Sequence, residues 1–438
     1  MNGIGLINAT GQPAVAGRFH TLVVQPTTFC NLDCAYCYLP DRRSLRPMSG
    51  AVAQVCAQSI AQQNNGHPVS VVWHGGEPTA TSIGLFRDLL APFEELRRAG
   101  MVRNEIQTNG TLINRQWCEL FTTYGFEVGV SIDGPGALNR NRLDRAGNPT
   151  AARTLRGMQT LADAGLKYSV ICVVTSETID HADALVDFFT GLPGCESVGF
   201  NIEEQEGVDR APVSEDAAYR FWQHLIARRV GGSPLRIRDV DRLADYLAAT
   251  RAGHIDHAPY EPIPTVSWDG QVVLLSPELL GIVEPRYGDF IAGNVLQQPI
   301  TAMLACAADL GYVAEFVTAL NDCADHCAFY DFCRGRPGRQ PLLRARDLHR
   351  PRNDLLPDHP PGPRSRRRGP AHPSRRRAMT NTLATFVNAA PEQLARLGVD
   401  PQRSIASIDA AKFDNRPTWD NKGKFDSRPG WDNWNKKK

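Results

Sequence analysis

The sequence predicts an α/β fold: a partial (β/α)6, TIM-like barrel of parallel strands, followed by a small cysteine-rich extension and a disordered C-terminal tail. Three observations carry this expectation. Short β-rich runs alternate with longer amphipathic runs through six units between residues 20 and 202, and that pattern calls for a parallel sheet covered by helices. Residues with chemical potential fall just after the strand runs, where parallel sheets place their sites. Beyond residue 338 the apolar periodicity stops and Arg and Pro crowd together.

In chain order, Thr21-Leu-Val-Val reads as the first strand, and the loop Cys30-Asn-Leu-Asp-Cys34-Ala-Tyr-Cys37 follows it. A helix is expected from Ser49 to about Gln63. Val69 to Trp73 is the second strand, followed by His74-Gly75-Gly76-Glu77-Pro and a helix from about Ile83 to Arg98. The third strand, Arg103 to Thr108, leads into Asn109-Gly-Thr and a helix over Asn114 to Thr123. The fourth, Glu127 to Ile132, leads into Asp133-Gly-Pro and a helix over Thr150 to Ala164. Tyr168 to Val174, a helix over Ile179 to Thr190, and the strand Ser197 to Ile202 complete the alternation; Val213 to Arg229 is a further helix. The barrel is placed at residues 18–235.

Residues 260–337 form the extension, with a hairpin turn at Trp268-Asp-Gly and a short β element at Gly293-Asn-Val. The linker at 338–378 cannot bury enough surface to offset its ordering entropy, so disorder is expected. Its charge reads as a solvated linker. Residues 379–438 look like a separate polypeptide, with one short helix near Glu392 to Leu397. Lysine usage agrees: Lys167 is the only lysine before residue 412, and six follow it. Two coding histories are joined here.

A formal charge of +1 and 42% apolar residues exclude neither enzyme nor binding protein, but give no electrostatic case for specific nucleic acid or for a membrane as the main partner. No run of about 18 apolar residues is present to span a bilayer. A cytoplasmic location is therefore expected, and eleven cysteines then read as thiols and metal ligands rather than disulfides. Cys56, Cys118, Cys172, Cys195 and Cys306 are scattered and read as small buried side chains.

The remaining six cysteines are clustered. Cys30-x3-Cys34-x2-Cys37 supplies three thiolates, one short of the four that a 4Fe-4S cubane takes, so one iron is left open to another ligand. Three-quarters of a zinc site is the other metal reading. Position decides between them: the loop follows the first strand, and Gly-Gly-Glu follows the second.

With those residues in view, the chain resembles a radical S-adenosylmethionine enzyme, whose signature is this cysteine spacing followed by a Gly-Gly-Glu turn. The resemblance implies that Cys30, Cys34 and Cys37 hold a 4Fe-4S cluster whose fourth iron is chelated by S-adenosylmethionine. It further implies that Gly75 and Gly76 allow close backbone approach and that Glu77 accepts from the methionine ammonium group. Gln107, Asn109, Ser131, Asp133 and Arg142 match positions at strand ends that contact the cofactor in related maturases, with the Ser131 hydroxyl and the Arg142 guanidinium directed at its carboxylate. Cys323, Cys327 and Cys333 resemble the SPASM extension and imply a possible auxiliary 4Fe-4S cluster. Serine stands near position 276, where such extensions commonly carry cysteine, so a cubane there needs Cys306 or a non-cysteine ligand. The pattern after Gly335 reads as out-of-register coding, which makes the extension possibly truncated.

The tail repeats an aromatic every six residues: Phe413-Asp-Asn415, Trp419-Asp-Asn421, Phe425-Asp-Ser427 and Trp431-Asp-Asn433. It is too short and polar to stack a solenoid, and Asp beside each ring argues against a nucleic-acid arm. It resembles precursors of cyclophane peptides, and the enzyme half resembles cyclophane-forming radical SAM/SPASM maturases of the GrrM/OscB type. The implied reaction joins each ring to the β-carbon two residues later, in its own tail or in a separate precursor peptide. An external electron donor such as flavodoxin or ferredoxin is implied as well. Asp269 and Glu203 are candidates for the base only by being acidic near strand ends or turns. The alternatives are a sulfatase-maturase-like oxidation of Cys or Ser on a separate protein, an iron-sulfur binding protein without activity, and an inactive frameshifted fusion.

Overall fold

Thr21–Val24, Val69–Trp73 and Tyr168–Val174 are buried at every residue, as continuous β-branched runs are when a parallel sheet is covered on both faces. The computed structural model describes residues 14–37, 39–63, 66–203, 211–253, 258–326 and 330–334. The expected linker at 338–378, the repeat-bearing segment 379–438 and Cys327 lie outside them.

The order is β1 (Thr21–Val24), α1 (Gly50–Gln63), β2 (Val69–Trp73), α2 (Ile83–Leu90), α3 (Glu94–Arg98), β3 (Val102–Thr108), α4 (Arg115–Thr123), β4 (Phe126–Ser131), α5 (Ala151–Asp163), β5 (Tyr168–Val174), α6 (Ala182–Thr190) and β6 (Cys195–Ile202). Consecutive strands pair in parallel, so every connection returns over the sheet through a helix. Local chemistry sets the boundaries. Asn114 caps α4 by accepting from the Trp117 N–H at 3.1 Å, and Ser82 caps α2. The single helix expected over 83–98 is instead two helices joined by a 3-10 turn carrying Pro92, which cannot donate to a continuing ladder.

The second half departs further from expectation. After α7 (Glu215–Val230) come β7 (Arg236–Ile237), α8 (Arg238–Arg251), β8 (Thr265–Val266), β9 (Gln271–Val273), β10 (Gly293–Asn294), α9 (Ile300–Ala305), α10 (Gly311–His326) and α11 (Tyr330–Cys333). The extension is not a detached unit, because β8 pairs in parallel with β1. It carries the sheet on to ten strands, in the order β10-β9-β8-β1-β2-β3-β4-β5-β6-β7.

The main core lies on the helix side of the sheet, around Trp73, Phe86, Phe121 and Phe189. A second apolar cluster, Val23, Val72, Ile171 and Ile263, lies apart from it. Strand alternation puts these residues on the opposite, inner face. Gln25, Gln107 and Ser131 continue that inner face toward the strands' carboxyl ends.

Candidate active site

The loops after β1 and β2 are pressed together by two glycines. Gly75 and Gly76 have φ of +99° and +57°, and a Cβ would stand 2.5 Å from Gln25 Cγ at the first and 2.4 Å from the Phe29 carbonyl oxygen at the second. Only glycine lets the backbone turn and approach this closely. The contact is fixed by the Glu77 N–H donating to the Phe29 carbonyl at 2.7 Å, one residue before Cys30.

Glu77 is 1% exposed, and its carboxylate is committed within the chain. It accepts from the Thr79 N–H at 2.9 Å, the Thr79 hydroxyl at 2.5 Å, the Thr108 hydroxyl at 2.6 Å and the Asn109 N–H at 2.7 Å. Within the chain it ties the loop after β2 to the end of β3, with three of these bonds on Oε1 and one on Oε2. Burial raises its pKa although all four bonds pull it down. Burial also pushes His74 down to about 3, so a neutral imidazole precedes the glycines.

Asn109 extends the tie to the cysteine loop, donating to the Asn31 side-chain oxygen at 2.9 Å while Asn31 donates to Thr111 at 2.8 Å. From the other side the loop after β4 acts as a template. Asp33 and Ala35 donate their N–H groups to the carbonyls of Leu143 and Asn141 at 2.8 and 2.9 Å. Beneath them Asp133, 1% exposed, accepts from the Tyr36 hydroxyl at 2.6 Å, from Arg142 Nε at 2.9 Å and from the Val173 N–H at 3.0 Å. Arg142 is 6% exposed and its guanidinium lies over the Tyr36 ring. Arg142 thus forms a buried ion pair with Asp133, which ties the loop after β4 to Tyr36 and to β5. Burial opposes the Arg142 charge, but Asp133 outweighs it and raises the pKa.

Ser131 is half-buried and accepts from Gln107 Nε2 at 2.6 Å. The Gln107 side-chain oxygen and the Gln25 side-chain nitrogen are buried without a partner in the chain, and such groups call for a polar ligand. Arg145, which the sequence did not single out, donates to the Cys30 carbonyl at 2.6 Å and covers the Phe29 ring. Its position was invisible because the two residues are far apart in the chain. Asp269 is held in its own turn by Ser267, and Glu203 is buried at the carboxyl end of β6.

The three thiols of the loop are half-buried. Burial, with Glu77 and Cys37 nearby, raises Cys30; burial pushes Cys34 up to about 12, partly relieved by Arg142. Among the described residues no three His, Cys, Asp or Glu side chains converge on one metal ion.

Comparison with known proteins agrees with this geometry. The family model described as Radical SAM superfamily matches residues 24–189. An uncharacterized protein of Synechocystis sp. is 31% identical over 336 residues, 74% of this chain and 84% of that protein. The chain belongs to the radical SAM superfamily. Radical SAM enzymes bind a 4Fe-4S cluster and S-adenosylmethionine, and this chain is an enzyme of that kind. It is also 35% identical over 191 residues to the serine-type anaerobic sulfatase-maturating enzyme of Klebsiella aerogenes. That match spans 42% of this chain and about half, 47%, of the relative. The structure of anSMEcpe with bound AdoMet and Cp18Cys peptide shares the fold, with a TM-score of 0.59 at 21% identity, covering 75% of this chain and 96% of that one.

The residues present fit the radical SAM cofactors. A three-thiol loop leaves one iron open, and one buried amide atom on each of Gln25 and Gln107 lacks a partner in the chain. The second cysteine group is less complete. Cys323 lies on α10, Cys333 ends α11, and both face Tyr330 electrostatically, while Cys306 is exposed. No described helix is long and apolar enough to cross a membrane.

Proposed function

We propose that this chain is a radical SAM peptide maturase that forms three-residue cyclophanes, each by a carbon–carbon bond from an aromatic ring to the β-carbon two residues later. Cys30, Cys34 and Cys37 hold the cluster, and Gly75, Gly76, Gln107, Asn109 and Ser131 border the cofactor. With its cofactors bound, the site supplies a hydrogen-abstracting radical. The chain's own residues position and enclose. Glu77, Asn109, Asp133 and Arg142 hold the cysteine loop against three strand ends, and Gln25 and Gln107 offer unspent amide groups to a polar ligand.

The observation that carries the substrate is the fourfold repeat in the chain's own tail. Phe413, Trp419, Phe425 and Trp431 each stand two residues before Asn415, Asn421, Ser427 or Asn433. Each crosslink removes one hydrogen from the β-carbon and one from the ring, so the tail loses about 2 Da per crosslink. Mass spectrometry of the tail after anaerobic expression tests this. Replacing Cys30, Cys34 and Cys37 by Ala should leave the tail at full mass. An unchanged tail from a chain that still cleaves S-adenosylmethionine would sink the proposal.

The likeness to sulfatase-maturating enzymes favours a second reading, oxidation of a Cys or Ser on another protein. That reading expects an unmodified tail and a modified partner in the same experiment. An auxiliary cluster on Cys323, Cys327 and Cys333 and a separate one-electron donor are further parts of the proposal; iron counting on the purified chain tests the cluster.

A further inference from the structure

We propose that a groove beside β10 receives the aromatic repeats of the chain's own tail, residues 412–434. The inference rests on the reading of that tail as substrate and names where it docks. The groove has a volume of about 560 Å³, with Ile282, Val283 and Ile291 giving it apolar walls and Asp289, Asn294 and Gln297 polar ones. Val283 is 80% exposed and Leu296, two residues after the groove's Asn294, is 52% exposed. These are two of only four large apolar side chains left exposed among the described residues, so solvent-facing apolar surface is concentrated here. The groove also lies at the free end of the sheet, since β10 has a strand neighbour only in β9 among the described residues.

Charge selects the occupant. Residues 260–333 carry ten acidic side chains against one arginine, Arg286, whereas residues 412–438 carry eight Lys and Arg against four Asp. Each ring of the first three repeats has a cation within three residues: Lys412 and Arg416 flank Phe413, Lys422 follows Trp419, and Lys424 and Arg428 flank Phe425. Aromatic anchors entering apolar walls, with cations over an acidic surround, make a complementary pair.

Position supports the choice. At Gly281, in the groove wall, a Cβ would lie 2.5 Å from Pro40 Cγ, so the groove backs onto the chain three residues after Cys37. Arg46 over the Trp268 ring makes a second contact between the same two regions. A repeat held in the groove therefore lies beside the arm that leaves the cysteine loop.

The test is photo-crosslinking in the full chain, without cofactors, with Trp419 replaced by p-benzoylphenylalanine and adducts mapped by peptide mass. Adducts within residues 281–297 are expected. Val283→Lys should lower their yield roughly two- to fivefold, the effect of one screened surface charge, while Val283→Glu should not; both positions are exposed, so folding is unaffected. Adducts mapping elsewhere, or equal yields from the two variants, overturn the groove. The two readings fail separately. A tail that loses mass while its adducts lie elsewhere keeps the maturase and sinks the groove; groove adducts on a tail of unchanged mass do the reverse.

Discussion

Replacing Asp133 by alanine removes the one carboxylate paired with Arg142 among the described residues, a guanidinium 6% exposed and 2.9 Å from it. An unpaired charge left in such a place costs about 3–5 kcal/mol. The Tyr36 hydroxyl and the Val173 N–H lose their acceptor as well, which places the single variant near the top of that range. Arg142→Met alone leaves a buried carboxylate that still accepts two hydrogen bonds, for a cost of about 2–3 kcal/mol. The double variant, Asp133→Ala with Arg142→Met, removes both charges and should cost only about 2 kcal/mol, so the coupling between the two sites is about 5–6 kcal/mol. Urea unfolding of the iron-free chain, followed by near-ultraviolet circular dichroism, measures all four corners of the cycle. Iron content after reconstitution supplies a second reading, since Tyr36 anchors the cysteine loop. Additive single costs, with coupling below about 0.5 kcal/mol, would refute the view that this buried pair acts as one unit.

Other perturbations give separate checks. Gly76→Ala brings a Cβ to 2.4 Å from the Phe29 carbonyl oxygen at a φ of +57°, and should cost about 3 kcal/mol or more, read as a fall in thermal midpoint. Glu77→Gln keeps the shape but weakens four bonds to a charged acceptor; about 2 kcal/mol of local stability is lost, and the amides of Thr79 and Asn109 should exchange hydrogen faster. Asp245 has its pKa raised to about 7, by burial and then by Asp241, against the lowering effect of Arg236. The folded chain then binds more protons than the unfolded chain between about pH 4 and 7, so stability falls as pH rises through that window. Asp245→Asn should remove this loss, making the variant more stable than the parent by about 2 kcal/mol at pH 8, with the advantage vanishing toward pH 4 in thermal scans.

The alternation of strands and helices was legible because runs such as Val69–Trp73 and Tyr168–Val174 are β-branched and apolar on both faces, and caps such as Asn114 mark helix starts. The hairpin at Trp268-Asp-Gly and the β element at Gly293-Asn were legible from their turn residues; that they extend the same sheet through β8 on β1 was not, since β7, β8 and β10 are two residues long and two residues carry no period. The cysteine spacing and the Gly-Gly turn were readable as chemistry. Partner choice was not: nothing local to Arg142 says that its guanidinium turns back nine residues to Asp133, or that Glu77 spends its oxygens on Thr108 and Asn109. The expectation that both side chains reach the cofactor came from the resemblance to related maturases; their hydrogen bonds to the chain's own residues left no mark in the sequence.

Those bonds bear on how the site works. The two carboxylates nearest the cysteine loop, Glu77 and Asp133, accept four and three hydrogen bonds from the chain itself, all of which hold neighbouring loops in place. His74 is neutral across the physiological range because burial depresses its pKa. The carboxyl ends of β1 to β4 therefore form a frame whose charged groups hold one loop in place, while the Gln25 side-chain nitrogen and the Gln107 side-chain oxygen remain for a ligand. Such a division suits a site whose reactive power is imported with its cofactors and whose protein part must keep its shape while a radical is present.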